Sequence, residues 1–171
     1  NGEINTKEGR IISSGFGNVS NPSEGGDISL TASGDITTAV VSSSIGIGGT
    51  GDGGNIAIES RNGEINTTAG KDLGVRSTGL GGSELKPAQS GEISLTASGD
   101  ITTAYVGSFM EGGIGDGGNV TITSQNGQFS LKDNNILSFT TFASNKSGNI
   151  FITAESVSLD NAKLLAQTEG Q

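Results

Sequence analysis

The sequence predicts an all-β fold, a right-handed parallel β-helix with three faces, wound as about five to six coils of roughly 27–37 residues. Three observations carry that expectation. "GDISLTASGDITTA" at 26–39 returns as "GEISLTASGDITTA" at 91–104. "GDGGN" at 51–55 returns at 115–119, and "NGEINT" at 1–6 returns at 62–67, a period of 61–65 residues. Apolar residues sit in short alternating runs, "ISLTA", "IAIES", "VTITS" and "IFITA", as half-buried strands require. A catalytic site needs one constellation of unlike residues, whereas an element stacked on copies of itself needs the same residues again and again.

Within each period lies a half-repeat: "GDISL" at 26 is answered by "GGNIAI" at 53, and "GEISL" at 91 by "GGNVTI" at 117. Each half is one coil, so residues 26–90 and 91–148 form two-coil units of one solenoid spanning 1–171. The first strand of successive coils points Ile28, Ile56, Ile93, Val120 and Ile150 inward, with Leu30, Ile58, Leu95, Ile122 and Ile152 two residues on. A second strand follows after seven to nine residues, entered through Ile36, Ile65, Ile101, Phe129 and Val157. Most are preceded by "SG" or "NG", residues that accept turn conformations cheaply. A third apolar stretch closes each coil: "RIISS", "VVSSSIGI", "DLGVR", "YVGSF", "NNILSFTTF" and "AKLLAQ". The block "SVSLDNAKLLAQ" at 156–167 resembles a short helix, but "SVSL" alternates and falls where the second and third strands are due. It is assigned to strands.

Only 31% of residues are hydrophobic and 30 are glycine, too thin for a conventional globular core. A narrow solenoid needs one to three inward side chains per strand, which this composition supplies. The formal charge of −9 opposes nucleic acid and an anionic membrane surface. No apolar run approaches the roughly 20 residues of a membrane span. The absence of Cys and His removes thiolate chemistry and a His-based nucleophilic triad. The opening in mid-motif at "NGEINT" suggests an excerpt of a longer repetitive chain.

Candidate sites are few. In register, Glu3, Asp35, Glu64 and Asp100 form a column of carboxylates, a possible Ca²⁺ site between coils and the one cofactor considered. Asn55, Asn119 and Asn149 are expected to stack as an amide ladder. The loops "FGNVSNPSEGGD" and "GLGGSELKPAQSGE" are long enough to recognise a partner, with Pro22, Glu24, Glu84, Lys86 and Pro87 as their distinctive residues. "GIGGTGDGGN" misses the Ca²⁺-binding nonapeptide pattern, because the Asp is Asp52 where the pattern wants residue 53. Arg10 and Arg76 flank third strands two coils apart. Outward Ser29, Thr31, Ser94, Thr96, Thr121 and Thr123 would suit an ice-binding array, but Ala57 and Glu59 interrupt it.

The phrases "GDGGNIAIES", "GDGGNVTITSQNG" and "SGNIFITAESVSLDNAKLLAQTEG" resemble the repeats of filamentous-haemagglutinin-like bacterial exoproteins, which run G-N-I-x-I-x-A, then S-V-x-L-x-N-x-A. The resemblance covers most of 26–170 and implies a β-helical stalk exported by two-partner secretion, outside the cell or on its surface. It carries no catalytic residues onto these positions. The expected function is therefore a non-catalytic structural or adhesive stalk whose partners are adjoining coils or copies end to end, and a surface glycan or host receptor. The alternative is a carbohydrate-binding or polysaccharide-degrading β-helix, marked by a basic residue beside two or three carboxylates in one cleft.

Overall fold

Ile28, Ile56, Ile93, Val120 and Ile150 stand in one column, each paired in parallel register with the next. The computed structural model describes residues 2–18, 20–46, 49–70, 74–141 and 145–169. The chain is a β-solenoid of three parallel sheets. The first holds Ile28–Ala32, Ile56–Ser60, Ile93–Ala97, Val120–Ser124 and Ile150–Thr153. The second holds Ile4–Asn5, Ile36–Thr37, Ile65–Asn66, Ile101–Thr103, Gln128–Lys132 and Ser156–Asp160. The third stacks Arg10–Gly15, Val40–Ile45, Val75–Leu80, Val106–Glu111, Asn135–Thr140 and Lys163–Thr168. Among the described residues the one helical element is a 3₁₀ turn at Thr68–Gly70.

Burial follows position in the stack. Ile36, Ile56, Ile58, Ile65, Ile93, Leu95, Ile101, Ile122 and Phe129 are fully buried, as is Val120. Each such aliphatic side chain is worth about 1.5–3 kcal/mol when fully removed from water. At the first coil Ile28 is buried but Leu30 only half-buried, and at the last coil Ile150 and Ile152 are half-buried. Val157 departs from its expected place in the core: it pairs with Phe129, yet it is 49% exposed. Its column ends there, with a coil on one side only.

The block at 156–167 is two strands, not a helix. The third strand expected at "DLGVR" runs instead over Val75–Leu80, because Val75 takes the register of Val41 and Val106. Residues 72 and 73 of that phrase, and residues 47 and 142 of its counterparts, lie outside the described residues.

The third sheet has two kinds of inward column. One is aliphatic: Ile11, Val41, Val75, Val106, Ile136 and Leu164. The other is Ser13, Ser43, Ser77, Ser108 and Ser138, ending at Ala166. Ser43, Ser77, Ser108 and Ser138 are buried, and each joins two coils. Ser43 Oγ donates to the Gly26 carbonyl (3.0 Å) and accepts the Gly54 N–H (2.9 Å). Ser77 does the same between Gly54 and Gly91, Ser108 between Gly91 and Gly118, and Ser138 between Gly118 and Gly148. The glycines are required by close approach, since a Cβ on Gly54 or Gly91 would lie 2.3 or 2.2 Å from a carbonyl oxygen of the coil before.

Candidate functional site

The two long loops converge. Between them in the stack lies the glycine loop around Thr50–Asp52, and residues of all three loops line one concavity. Ser23–Glu24 pairs in parallel with Gly51–Asp52, and Gly51 also meets Leu80 in antiparallel register. Gly51 has φ +142°, and a Cβ there would overlap the Ser23 carbonyl. No other residue fits. The result is a cleft of about 280 Å³ lined by Pro22, Glu24, Thr50, Asp52, Lys86 and Pro87, among others.

Backbone pairing holds the rim. Ser83 and Lys86 exchange backbone N–H···O bonds of 2.9 and 3.1 Å, which fixes the turn that presents Lys86. Glu84 is exposed at the tip of this turn and does not line the cleft; neighbouring Leu85 is 96% exposed. Asp52 Oδ1 accepts the Gln89 N–H at 2.8 Å, and among the described residues its other oxygen has no hydrogen-bond partner. Among the described residues Lys86 has no carboxylate within ion-pair distance. The cleft therefore presents one cation and two carboxylates beside two proline rings, a surface that suits a polar ligand with an apolar face.

A longer groove of about 650 Å³ runs round the corner over a glycine floor, with Glu24, Asp27, Asp52, Glu92 and Asp116 along it and no basic residue. Most of these acids are staples between coils. Asp27 Oδ1 accepts the Asn55 N–H (2.7 Å), and Asp116 Oδ1 accepts the Lys146 N–H (2.8 Å).

The expected amide ladder is corrected here: Asn55 does not stack on Asn119, because Glu92 stands between them. Asn55 Oδ1 accepts the Glu92 N–H (2.8 Å), and Asn119 Nδ2 donates to Glu92 Oε1 (3.0 Å). Only Asn119 and Asn149 are direct neighbours; Asn119 Oδ1 accepts the Asn149 backbone N–H at 2.8 Å and Asn149 Nδ2 at 3.3 Å. The column is thus Asp27, Asn55, Glu92, Asn119, Asn149; Asp27, Asn55 and Asn119 each cap a backbone N–H of the next coil, while Glu92 accepts the Asn119 side-chain amide.

The acidic column of Glu3, Asp35, Glu64 and Asp100 stands in register before the second strands. Its aspartates turn along the rod: Asp35 Oδ1 accepts the Glu64 N–H (2.9 Å) and Asp100 Oδ1 accepts the Gln128 N–H (2.7 Å). Hydrogen bonds to the charged form offset the like-charge repulsion of the stack. Among the described residues no three acidic side chains come close enough to share a metal ion.

The buried serine column was not foreseen in the sequence, although a serine at one register position of five consecutive third strands is a readable signal. Comparison of the chain with family models, with curated proteins and with solved structures returns no match in any of the three.

Proposed function

We propose that the chain is a stalk segment of an extracellular fibre, of the filamentous-haemagglutinin-like kind carried at a bacterial surface, and that its work is structural and adhesive rather than catalytic. The open end of the stack carries this reading. Ile150, Ile152, Leu164 and Ala166 line a hollow of about 400 Å³ there, and Val157, Leu159 and Leu165 are exposed in register with the columns behind them. Unpaired parallel edges with apolar columns are templates for more of the same. Further coils, or a second copy stacked head to tail, cover them. Electron microscopy and sedimentation of the purified chain at rising concentration test this. End-to-end rods are expected, and a monodisperse particle with no end contact at any concentration overturns it.

The cleft favours a second reading, carbohydrate binding or cleavage, because Lys86 lies beside Glu24 and Asp52 in one concavity. A glycan array together with a depolymerisation assay on the chain and on Glu24→Gln and Lys86→Gln separates the two. Product formation that both substitutions abolish would displace the non-catalytic reading.

A further inference from the structure

The outward side of the third sheet carries another groove, of about 200 Å³, lined by Arg10, Ile12, Val40, Ser42 and Arg76 among others. Along Val40–Ile45 the inward residues are Val41, Ser43 and Ile45, so Val40 and Ser42 face outward, yet each is only 6% exposed. They form a floor, and the arginines rise beside it. Register sets this placement, since Arg10 pairs with Val40 and Arg76 with Ser42. The two arginines are thus two coils and two residues apart, about 12 Å between Cα atoms at ordinary strand spacings, which two long side chains close from both sides. No carboxylate lines the groove, and among the described residues neither arginine has one within ion-pair distance. In a chain of formal charge −9 this is a local reversal of sign.

One coil further on, Arg76 pairs with Gly107. The rings of Tyr105 and Phe109, on the same outward side, are stacked with centroids 5.8 Å apart and planes 7° apart. They lie over buried Gly107, where a Cβ would come within 2.2 Å of the Phe109 ring and 2.9 Å of the Tyr105 ring. Phe139 extends the aromatic surface at 6.2 Å from Phe109. Guanidinium groups match carboxylates in planar, paired hydrogen bonds, and ring faces suit the C–H face of a sugar.

We propose that this strip binds a linear polysaccharide bearing carboxylates, a uronate polymer. Arg10 and Arg76 take the carboxylate above Ser42, and the neighbouring sugar packs on Tyr105 and Phe109. The strip shares no lining residue with the proline-loop cleft and does not depend on the stalk reading.

Tyr105 is the one tyrosine of a chain without tryptophan, so intrinsic fluorescence reports from the strip itself. The chain is titrated with a hexamer of uronic acid, with the same hexamer reduced to its neutral form, and with acetate. A saturable change is expected with the acidic hexamer, weakened roughly tenfold or more for the neutral hexamer and for acetate. The same weakening is expected in Arg10→Gln and Arg76→Gln, and none in Lys146→Gln, whose exposed side chain lines neither the groove nor the proline-loop cleft. Far-UV circular dichroism checks folding; should Arg76→Gln fail it, the exposed Arg10 at the end of the stack carries the test. No saturable change, equal binding of the neutral hexamer or acetate, or unaltered affinity in the folded arginine variants overturns the proposal.

Discussion

Gly91 donates its backbone N–H to Ser77 Oγ at 2.8 Å, and the same hydroxyl donates to the Gly54 carbonyl at 2.9 Å. One buried side chain thereby fastens two consecutive coils. Ser77→Ala leaves a buried N–H and a buried carbonyl without that partner, an expected loss of about 3 kcal/mol. Ser13, half-buried at the first coil and without a hydrogen bond from its hydroxyl among those described, is the control, with Ser13→Ala costing about 0.5 kcal/mol or less. Urea unfolding of both variants measures the difference, and equal losses would remove the stapling role.

The glycines before the acidic column divide into two kinds. A Cβ on Gly63 would lie 2.3 Å from Asp35 Oδ1 and 2.7 Å from the Asp35 backbone nitrogen, whereas on Gly99 its nearest neighbours are 3.3 Å away. The aspartate below Gly63 folds inward against it, whereas a Cβ on Gly99 makes tight contacts that a few tenths of an ångström of movement relieve. Gly63→Ala is expected to destabilise by about 2 kcal/mol or more. Gly99→Ala is expected to change stability by less than about 1 kcal/mol. Thermal melts of the pair decide.

Val157 and Leu164, 49% and 41% exposed, sit at the open end in the two apolar columns. Lysine at either site is expected to change stability by less than about 1 kcal/mol, because little packing is lost. It is also expected to suppress end-to-end association, by placing a charge where the next coil would dock. Sedimentation velocity against concentration measures both variants beside the parent chain.

Burial holds the Tyr105 hydroxyl well above the ordinary tyrosine value; Arg76 opposes this and Glu111 adds to it. The unfolded tyrosine ionises near about pH 10 and the folded one higher, so the unfolded chain releases its proton first. The contribution is present in full below about pH 10 and is lost as pH rises above it. Tyr105→Phe is expected to flatten that alkaline decline in melting temperature, while alkaline absorbance of the parent chain follows this one phenol directly.

The apolar columns were legible because period-2 alternation and near-identical repeats both marked Ile28, Ile56 and Ile93. The serine ladder was not, because a hydrophobicity pattern assigns Ser43 and Ser77 to solvent, and only the stacked register shows that each meets backbone on the inside. The amide ladder was misread for a related reason. Near-identity recurs after two coils, so Asn55 and Asn119 look like neighbours while Glu92 of the intervening coil goes unseen. For the proline-loop cleft, both loops stood out by length. Their meeting runs through Gly51, which pairs with Ser23 on one side and Leu80 on the other, a connection that spacing does not express.

The parallel ladders have a consequence for force. Hydrogen bonds between coils run along the rod, while the polypeptide winds across it. A pull on the two ends loads those bonds coil by coil, so the structure yields by peeling rather than by breaking at one plane. The step from Ile28 to Ile56 is 28 residues, and each such coil that opens gives up about 4.8 Å of rod and releases up to about 95 Å of chain. A solenoid built this way lengthens under load in small steps, and the coils still wound keep their grip.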